Sequence, residues 1–488
     1  MNKDLLKDYS SNDTIAAIAT FPASSALGVI KISGKKAVHI MDRIFMPKKN
    51  KEIKKVKSYT LHYGWIIDRT RNSKGKAQSK NKKKQIGSYG EKAGNIVDEV
   101  LVSMMKAPYS YTKEDVVEVS SHGGMLVINK ILGLILRQGA RLANPGEFTY
   151  RAFINGRIDL IQAQGILEVM EAKTEEALLL ASRQLKGEFS ENLVKVNNKL
   201  KDIFIKVEAD LQFPENGIEI SPAKITREVR KAKKYIDDLI KTSAEADVIR
   251  EGINCVICGK ANTGKSTLFN RLLKKERAIV AETAGTTRDV IEENINIKGI
   301  PLRMYDTAGI LEPRDFVEKK ALEKSYQKIK EADIILLLLS YSQPLEKDDI
   351  FLWEKVKKKN TLVVINKIDL EKKIEFRKMN LFKRPKIKLS ALKGIGLNEL
   401  EEKMFKSVYR KGINKKDRFL FLARKQKDIL GQVSTCLFDS LHYLTEGYSI
   451  DFLSFSLKEA LDKLGKLTGK VTNESILKDI FSNFCIGK

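Results

Sequence analysis

The eight residues Gly259-Lys260-Ala261-Asn262-Thr263-Gly264-Lys265-Ser266 constrain this chain more than any other feature. They follow an apolar run, Ile253 to Cys258, and precede a stretch with helical patterning, which is the context a phosphate-binding loop requires. Glycines let backbone N–H groups curl around phosphates, and the helix N-terminus adds positive potential. In this reading Asn262, Thr263, Gly264, Lys265, Ser266 and Thr267 contact a nucleotide, Lys265 reaches its β and γ phosphates, and Ser266 ligates Mg²⁺. From Ile253 to about Tyr409 short apolar runs alternate with polar helical stretches, the rhythm of a parallel sheet covered by helices. Cys255 and Cys258 have the spacing of a metal pair, but positions three apart on a strand point to opposite faces, so both read as core.

Three further elements follow in order. Asp306-Thr307-Ala308-Gly309 ends another strand-like run and offers a carboxylate near Mg²⁺ and an N–H for the γ-phosphate. Asn366-Lys367-Ile368-Asp369 follows the strand Leu362 to Ile365, and the Asp369 carboxylate suits guanine N1 and N2, a donor pattern adenine lacks. Ser390 and Ala391 open a loop suited to the guanine O6. The domain therefore reads as a GTPase. Ile310 stands where many switch GTPases place a water-orienting glutamine, which leaves Glu312, Asp315 and Glu318 as acidic candidates for that task.

A chain of 488 residues predicts several domains. Residues 13 to 34, Leu61 to Ile67 and Ile96 to Met105 read as strands of an N-terminal α+β domain, with a basic, polar loop from Arg69 to Lys84. From about Ile158 to Arg250 the pattern turns helical, broken at Pro214 and Pro222 and resuming to about Ala246, and Leu193, Val196, Leu200, Ile203 and Val207 fall on one helix face. Phe419 to Leu444, Leu453 to Leu464 and Glu474 to Ser482 are helical again. The expected division is 1–155, 156–251, 252–410 and 411–488, a split helical domain carrying an inserted Ras-like, doubly wound P-loop domain.

The net charge of +27 favours a polyanionic partner but also reflects general lysine richness. Four cysteines in so long a chain make no disulfide framework, the start lacks a signal-peptide pattern, and Ile334 to Leu339 is too short to span a bilayer. A cytoplasmic location and no membrane association are expected.

The motif order, with Gly285-Thr286-Thr287-Arg288-Asp289 as switch I, resembles the MnmE (TrmE) family. Similar family blocks are Tyr111-Thr112-Lys113-Glu114-Asp115, His122-Gly123-Gly124, Pro145-Gly146-Glu147-Phe148-Thr149, Asn155-Gly156-Arg157-Ile158-Asp159-Leu160 and the terminal Phe484-Cys485-Ile486-Gly487-Lys488. The resemblance implies a tetrahydrofolate-binding N-terminal domain that forms a homodimer. It also implies modification at C5 of uridine 34 in tRNA, with a carboxymethylaminomethyl-type product, made together with a flavin-dependent MnmG (GidA) protein. By position it implies folate contacts at Lys31, Glu118, Arg157 and Lys488, with Lys31 replacing the arginine usual there. Cys485 becomes a candidate reactive thiol, and Glu318 the water-orienting acid. Ala281, Glu282, Thr283, Ala284, Gly285, Thr286 and Thr287 would line the nucleotide; of these Ala281, Thr283 and Thr286 would hold a potassium ion with Asn262, and Thr287 would join Ser266 on Mg²⁺. Two rival readings are a ribosome-assembly GTPase acting as an rRNA-binding switch and a stress-response or membrane-linked switch. The terminal block argues against the first, and the lack of an anchor or basic amphipathic helix against the second.

Overall fold

A computed structural model of the chain describes residues 13–21, 23–48, 52–69, 95–213, 221–276, 292–306, 327–375, 378–408, 421–469, 477, 480–481 and 483–487. It comprises two compact units, Met1–Leu167 with Leu461–Lys488, and Glu168–Ala460.

The first unit contains β1 (Ile15–Ile18), β2 (Ser25–Ser33), α1 (Ala37–Ile44), β3 (Phe45–Pro47), β4 (Thr60–Asp68), β5 (Asn95–Met105), β6 (Val116–Gly123), α2 (Met125–Arg137), β7 (Arg141–Leu142) and α3 (Glu147–Ile154). The strands form one sheet in the order β3-β4-β5-β6-β2-β1-β7, antiparallel except where β1 meets β7. Alternation along β5 sends Val100, Val102 and Met104 into a core with Ile40 and Met41 of α1 and Ile128, Ile131 and Ile135 of α2. The opposite sheet face leaves Leu61 63% and Leu101 40% exposed, with Tyr63 directly across from Leu101. All but Arg69 of the expected basic loop lies outside the described residues.

After α4 (Leu160–Glu171), the second unit carries α5 (Glu175–Lys186), α6 (Glu188–Gln212) and α7 (Pro222–Glu251). On α6 the expected stripe appears: Leu193, Leu200 and Val207 are buried, while Val196 and Ile203 are partly so. Pro222 occupies the first position of α7, where its missing N–H costs nothing. α7 continues to Glu251 rather than ending near Ala246, because Ala246 and Ile249 extend its apolar face into a core with Ala177, Leu180 and Phe421. There the buried Gln184 amide donates to the Phe421 carbonyl and accepts from its N–H, each at 3.0 Å, securing the chain as it approaches the next helix.

The α/β domain follows with β8 (Ile253–Cys258), α8 (Lys265–Glu276), β9 (Glu292–Ile297), β10 (Ile300–Asp306), β11 (Ile334–Ser340), α9 (Lys347–Val356), β12 (Thr361–Asn366), β13 (Lys386–Lys388) and α10 (Leu397–Val408). Its sheet order is β13-β12-β11-β8-β10-β9, with only β9 antiparallel to its neighbour. β11 is buried along its whole length, which accounts for its continuous apolar sequence. Cys255 packs in the core on one face and Cys258 in the core on the other, as strand alternation requires. Burial raises the Cys255 thiol and pushes Cys258 up to about 12, so both stay protonated. α11 (Arg424–Glu446) lies along α7, where Ser434 donates to Asp237 and Lys427 pairs with Asp247. α12 (Ile450–Thr468) follows. Among the described residues no helix is long and apolar enough to cross a membrane.

Candidate active site

Three loops meet where the parallel strands β8, β12 and β13 end. After β8 the chain turns through Gly259 and into the phosphate loop, where Asn262 adopts a left-handed φ of 61°. This conformation suits a short polar side chain better than most. The Thr263 hydroxyl donates to the Lys260 carbonyl at 2.9 Å, and the Lys265 ammonium donates to the Gly259 and Lys260 carbonyls at 3.0 and 2.9 Å. Lys260 reaches the other way, to Glu346 at 3.1 Å and Asp349 at 3.2 Å at the start of α9. Ser266 and Thr267 lie exposed in the first turn of α8.

Asn366, at the end of β12, joins these loops. Its amide nitrogen donates to the Thr263 carbonyl at 2.9 Å, and its amide oxygen accepts from the Ala391 N–H at 3.0 Å. The approach is so close that a Cβ on Gly264, itself at φ 92°, would lie 2.3 Å from the Asn366 nitrogen. Lys367 follows at φ 67°, and Asp369 stands beside the Ser390 loop. A hydrogen bond from the Ser390 hydroxyl, aided by Lys393 and Lys367, holds the Asp369 carboxyl below its usual range, so it is a ready acceptor. Asp306 ends β10 opposite Ile257 of β8 and so reaches the same end of the sheet. Ala281, Glu282, Thr283, Ala284, Gly285, Thr286, Thr287, Thr307, Ala308, Gly309, Ile310, Glu312, Asp315 and Glu318 lie outside the described residues.

A second cluster forms in the first unit. Lys31 of β2 and Glu118 of β6 are register partners, with their charged atoms 3.8 Å apart. Tyr111 lies between cations: the Lys31 ammonium is 5.4 Å and the Arg157 guanidinium 4.5 Å from its ring centre. Burial raises the Tyr111 hydroxyl pKa, and that hydroxyl pairs with Thr149 at 2.9 Å. Lys31 and Arg157, nearly 130 residues apart, thus meet at one aromatic ring, with Glu118 beside Lys31.

Behind Tyr111 is a network that spacing alone exposes only in part. Arg151 bonds Glu147, fully buried and four residues earlier, and also Asp13 and Glu114. Arg141 bonds Glu147 at 2.7 Å and Asp13 at 2.8 Å. Ser33 donates to Glu114, Lys113 to the Gly156 carbonyl, and Asn155 to the Thr112 carbonyl. The blocks at 111–115, 145–149 and 155–157 therefore meet, and the i, i+4 spacing of Glu147 and Arg151 is the one sequence signal of the network.

The C-terminal tail reaches the same unit. The Cys485 carbonyl accepts from the Gly146 N–H at 3.3 Å, and a Cβ on Gly487, at φ 96°, would lie 2.6 Å from the Ile18 carbonyl of β1. β1 pairs Ala17 with Lys31, so the tail runs one strand away from the Tyr111 cluster. Cys485 is exposed, and Lys488 lies outside the described residues.

Comparison with known proteins gives matches over the whole length. A family model described as the MnmE helical domain matches residues 160–485, and one described as the GTP-binding protein TrmE N-terminus matches residues 14–157. The tRNA modification GTPase MnmE of Thermoanaerobacter pseudethanolicus is 41% identical over 479 residues, 98% of this chain and 99% of that protein. That of Bacillus subtilis is 38% identical over 480 residues, 98% of this chain and 100% of its own length. Among solved structures, Aquifex aeolicus Era bound to GDP·AlF4⁻ is 28% identical, with 38% of this chain and 66% of that one covered and a TM-score of 0.27.

Proposed function

The chain belongs to the MnmE family of tRNA modification GTPases, and from that membership we propose that it hydrolyses GTP to support modification of the wobble uridine, position 34, of certain tRNAs. The observation that carries the GTPase half is Asn366, which bonds both the phosphate loop and the Ser390-Ala391 loop and makes one seat of them. In that seat Lys265, Ser266 and Thr267 face the phosphates, while Lys367, Asp369 and Ala391 face the base. Asp369 accepts from guanine N1 and N2. Ser266, with Thr287, supplies the oxygen donors that suit Mg²⁺, whose chemistry is to neutralise charge on the phosphates, and Asp306 supplies a carboxylate to the second shell of the ion. Glu318 orients the attacking water in place of the glutamine that Ile310 displaces.

Asn262, with Thr286 and the carbonyls of Ala281 and Thr283, forms a set of hard neutral ligands for potassium. A monovalent cation there supplies positive charge between the β and γ phosphates, the contribution an arginine finger makes in other GTPases. Support for this within the described residues is the exposed Asn262 amide at the edge of the phosphate loop.

The first unit takes a reduced folate. The paired cations Lys31 and Arg157 suit the acidic tail of folate, the Tyr111 ring offers an apolar platform for a flat heterocycle, and Glu118 can accept from ring N–H groups. A one-carbon unit on the folate is the source of the methylene. By its place in the family Lys488 is the fourth folate contact, and the exposure of Cys485 favours a reactive thiol over a packing role. The uncovered apolar sheet face with Leu61, Tyr63 and Leu101 pairs two copies of the chain. A flavin-dependent partner of the MnmG type completes the reaction, giving a carboxymethylaminomethyl-type group at C5. The domain division 1–155, 156–251, 252–410 and 411–488 belongs to the same proposal.

The test is mass spectrometry of tRNA nucleosides from a deletion strain. Loss of the uridine 34 modification with normal rRNA processing supports the reading; intact tRNA with stalled ribosome assembly favours the rRNA-switch alternative.

A further inference from the structure

The end of the second-unit sheet farthest from the nucleotide loops collects positive charge from three separate segments. Arg384 donates to the Lys357 and Lys359 carbonyls at 3.1 and 3.2 Å, and Lys359 donates to the Lys330 carbonyl at 2.5 Å. Pro385 accepts from the Val363 N–H at 3.1 Å, which fixes the third segment beside the start of β12. Lys330, Lys358, Lys383, Arg384 and Lys386 are exposed, and Lys359 is half-buried. Among the described residues none of these six has a carboxylate partner. Of the acids on the same segments, Glu331 and Glu354 are paired with Lys328 and Lys357, and Asp333 accepts from the Asn254 N–H at 2.8 Å.

Alignment of cations with a helix dipole accounts for Lys358 and Lys359, which follow the C-terminus of α9, and its effect fades beyond the last turn. It does not account for Lys386, which lies within β13. Like charges drawn together by backbone hydrogen bonds repel unless an anion shares them. About two helical turns back along α9 from Lys358, on the same side of the helix, Phe351 is 50% exposed, with the Lys355 ammonium 5.3 Å from its ring centre. Uncompensated cations beside an exposed aromatic are the combination that binds a phosphate backbone while stacking on a base.

We propose that this basic floor of the α/β domain, built from Lys330, Lys358, Lys359, Lys383, Arg384 and Lys386, is a docking surface for the phosphate backbone of RNA, here the tRNA substrate. The assignment rests on the reading of the chain as a tRNA-modifying enzyme. β12 carries the chain from Thr361 at this floor to Asn366 at the nucleotide seat, about 16 Å at roughly 3.3 Å per residue. RNA therefore binds here without covering the GTP site.

The experiment is fluorescence anisotropy of a labelled, unmodified tRNA against the full chain and a Lys358→Glu/Lys383→Glu/Lys386→Glu variant, in KCl from about 50 to 200 mM. The three side chains make no hydrogen bond or ion pair within the protein among the described residues. The variant is expected to bind tRNA at least ~10-fold more weakly, with the slope of log affinity against log salt shallower by about two, since each phosphate contact contributes roughly 0.7 to 0.9. Its GTP turnover and KM without tRNA stay at wild-type values. If that turnover is lost, a Lys358→Gln/Lys383→Gln/Lys386→Gln variant is measured the same way. Wild-type tRNA affinity and slope in a variant that keeps its GTP turnover overturn the proposal, and so does loss of binding to anionic vesicles or polyglutamate with tRNA binding intact. Wild-type protein that does not bind tRNA overturns the functional reading as well, which separates the two failures.

Discussion

Asn366 and Asp369 are three residues apart and do different work. Asn366 is buried and spends both polar ends on the protein, whereas Asp369 is held ionised at the surface by Ser390 and lysines. Asp369→Asn replaces an acceptor with a group that also donates, so GTP affinity falls on the order of 10²-fold and a xanthine nucleotide, which offers an oxygen at C2, is bound in preference. Competition binding with both nucleotides checks this. Because the Asp369 pKa is depressed, the acceptor is fully ionised above the ordinary value near 3.9 and is lost only as pH falls through the lower folded value. Guanine selectivity is therefore flat across neutral and mildly acidic pH. At the other cluster, if the proposed folate site is right, Lys31→Ala is expected to remove a charge-assisted contact and weaken 5-formyltetrahydrofolate by roughly 1.5 to 3 kcal/mol, measured by calorimetry. Unchanged affinity would take Lys31 out of that site.

At the scale of elements, α6 and the Arg151 network illustrate two kinds of support. Leu200 is fully buried on the α6 stripe, and Leu200→Ala is expected to cost about 2 to 5 kcal/mol, read as a lower urea midpoint. The network responds to pH instead. Burial raises the Asp13 pKa, but hydrogen bonds from Arg141 and Arg151 more than offset this and leave it below its usual value. A depressed folded pKa gives stability that is present above the unfolded value near 3.9 and lost as pH falls through the folded one. Asp13→Asn should thus destabilise the first unit at neutral pH and flatten its stability loss in acid. A variant with the wild-type acid profile would remove Asp13 from the role.

For the whole molecule, the exposed face of the first-unit sheet is the feature with the largest consequence. Leu101→Asp places a charge at its centre, opposite Tyr63, and is expected to convert a dimer to monomer in sedimentation while leaving the α1 and α2 side of the sheet intact. A variant that sediments as wild type would move the dimer contact elsewhere. Matched KCl and NaCl buffers test the potassium ligands: GTP turnover is expected to be faster in KCl, and Asn262→Ala to lose that difference. Equal rates in the two salts would exclude the assignment.

Local sequence order determined the nucleotide end of the α/β domain. A phosphate loop needs a strand before it and a helix after it, and a guanine-binding motif needs a strand end, so the strand and helix flanking Gly259 to Ser266 and the strand ending at Asn366 are legible from spacing alone. The same holds for the α6 stripe and for the opposite-facing pair Cys255 and Cys258, because strand and helix periods are fixed by backbone geometry. Tertiary structure alone decided which residues from distant segments meet. Nothing in the sequence shows that Tyr111 lies between Lys31 and Arg157, that Asp13 joins Arg141 and Arg151, or that Lys359, Arg384 and Lys330 share one floor. The physical reason is that periodicity reports which face a residue occupies, whereas contacts between faces depend on strand order and register, which only the assembled sheets and helices specify.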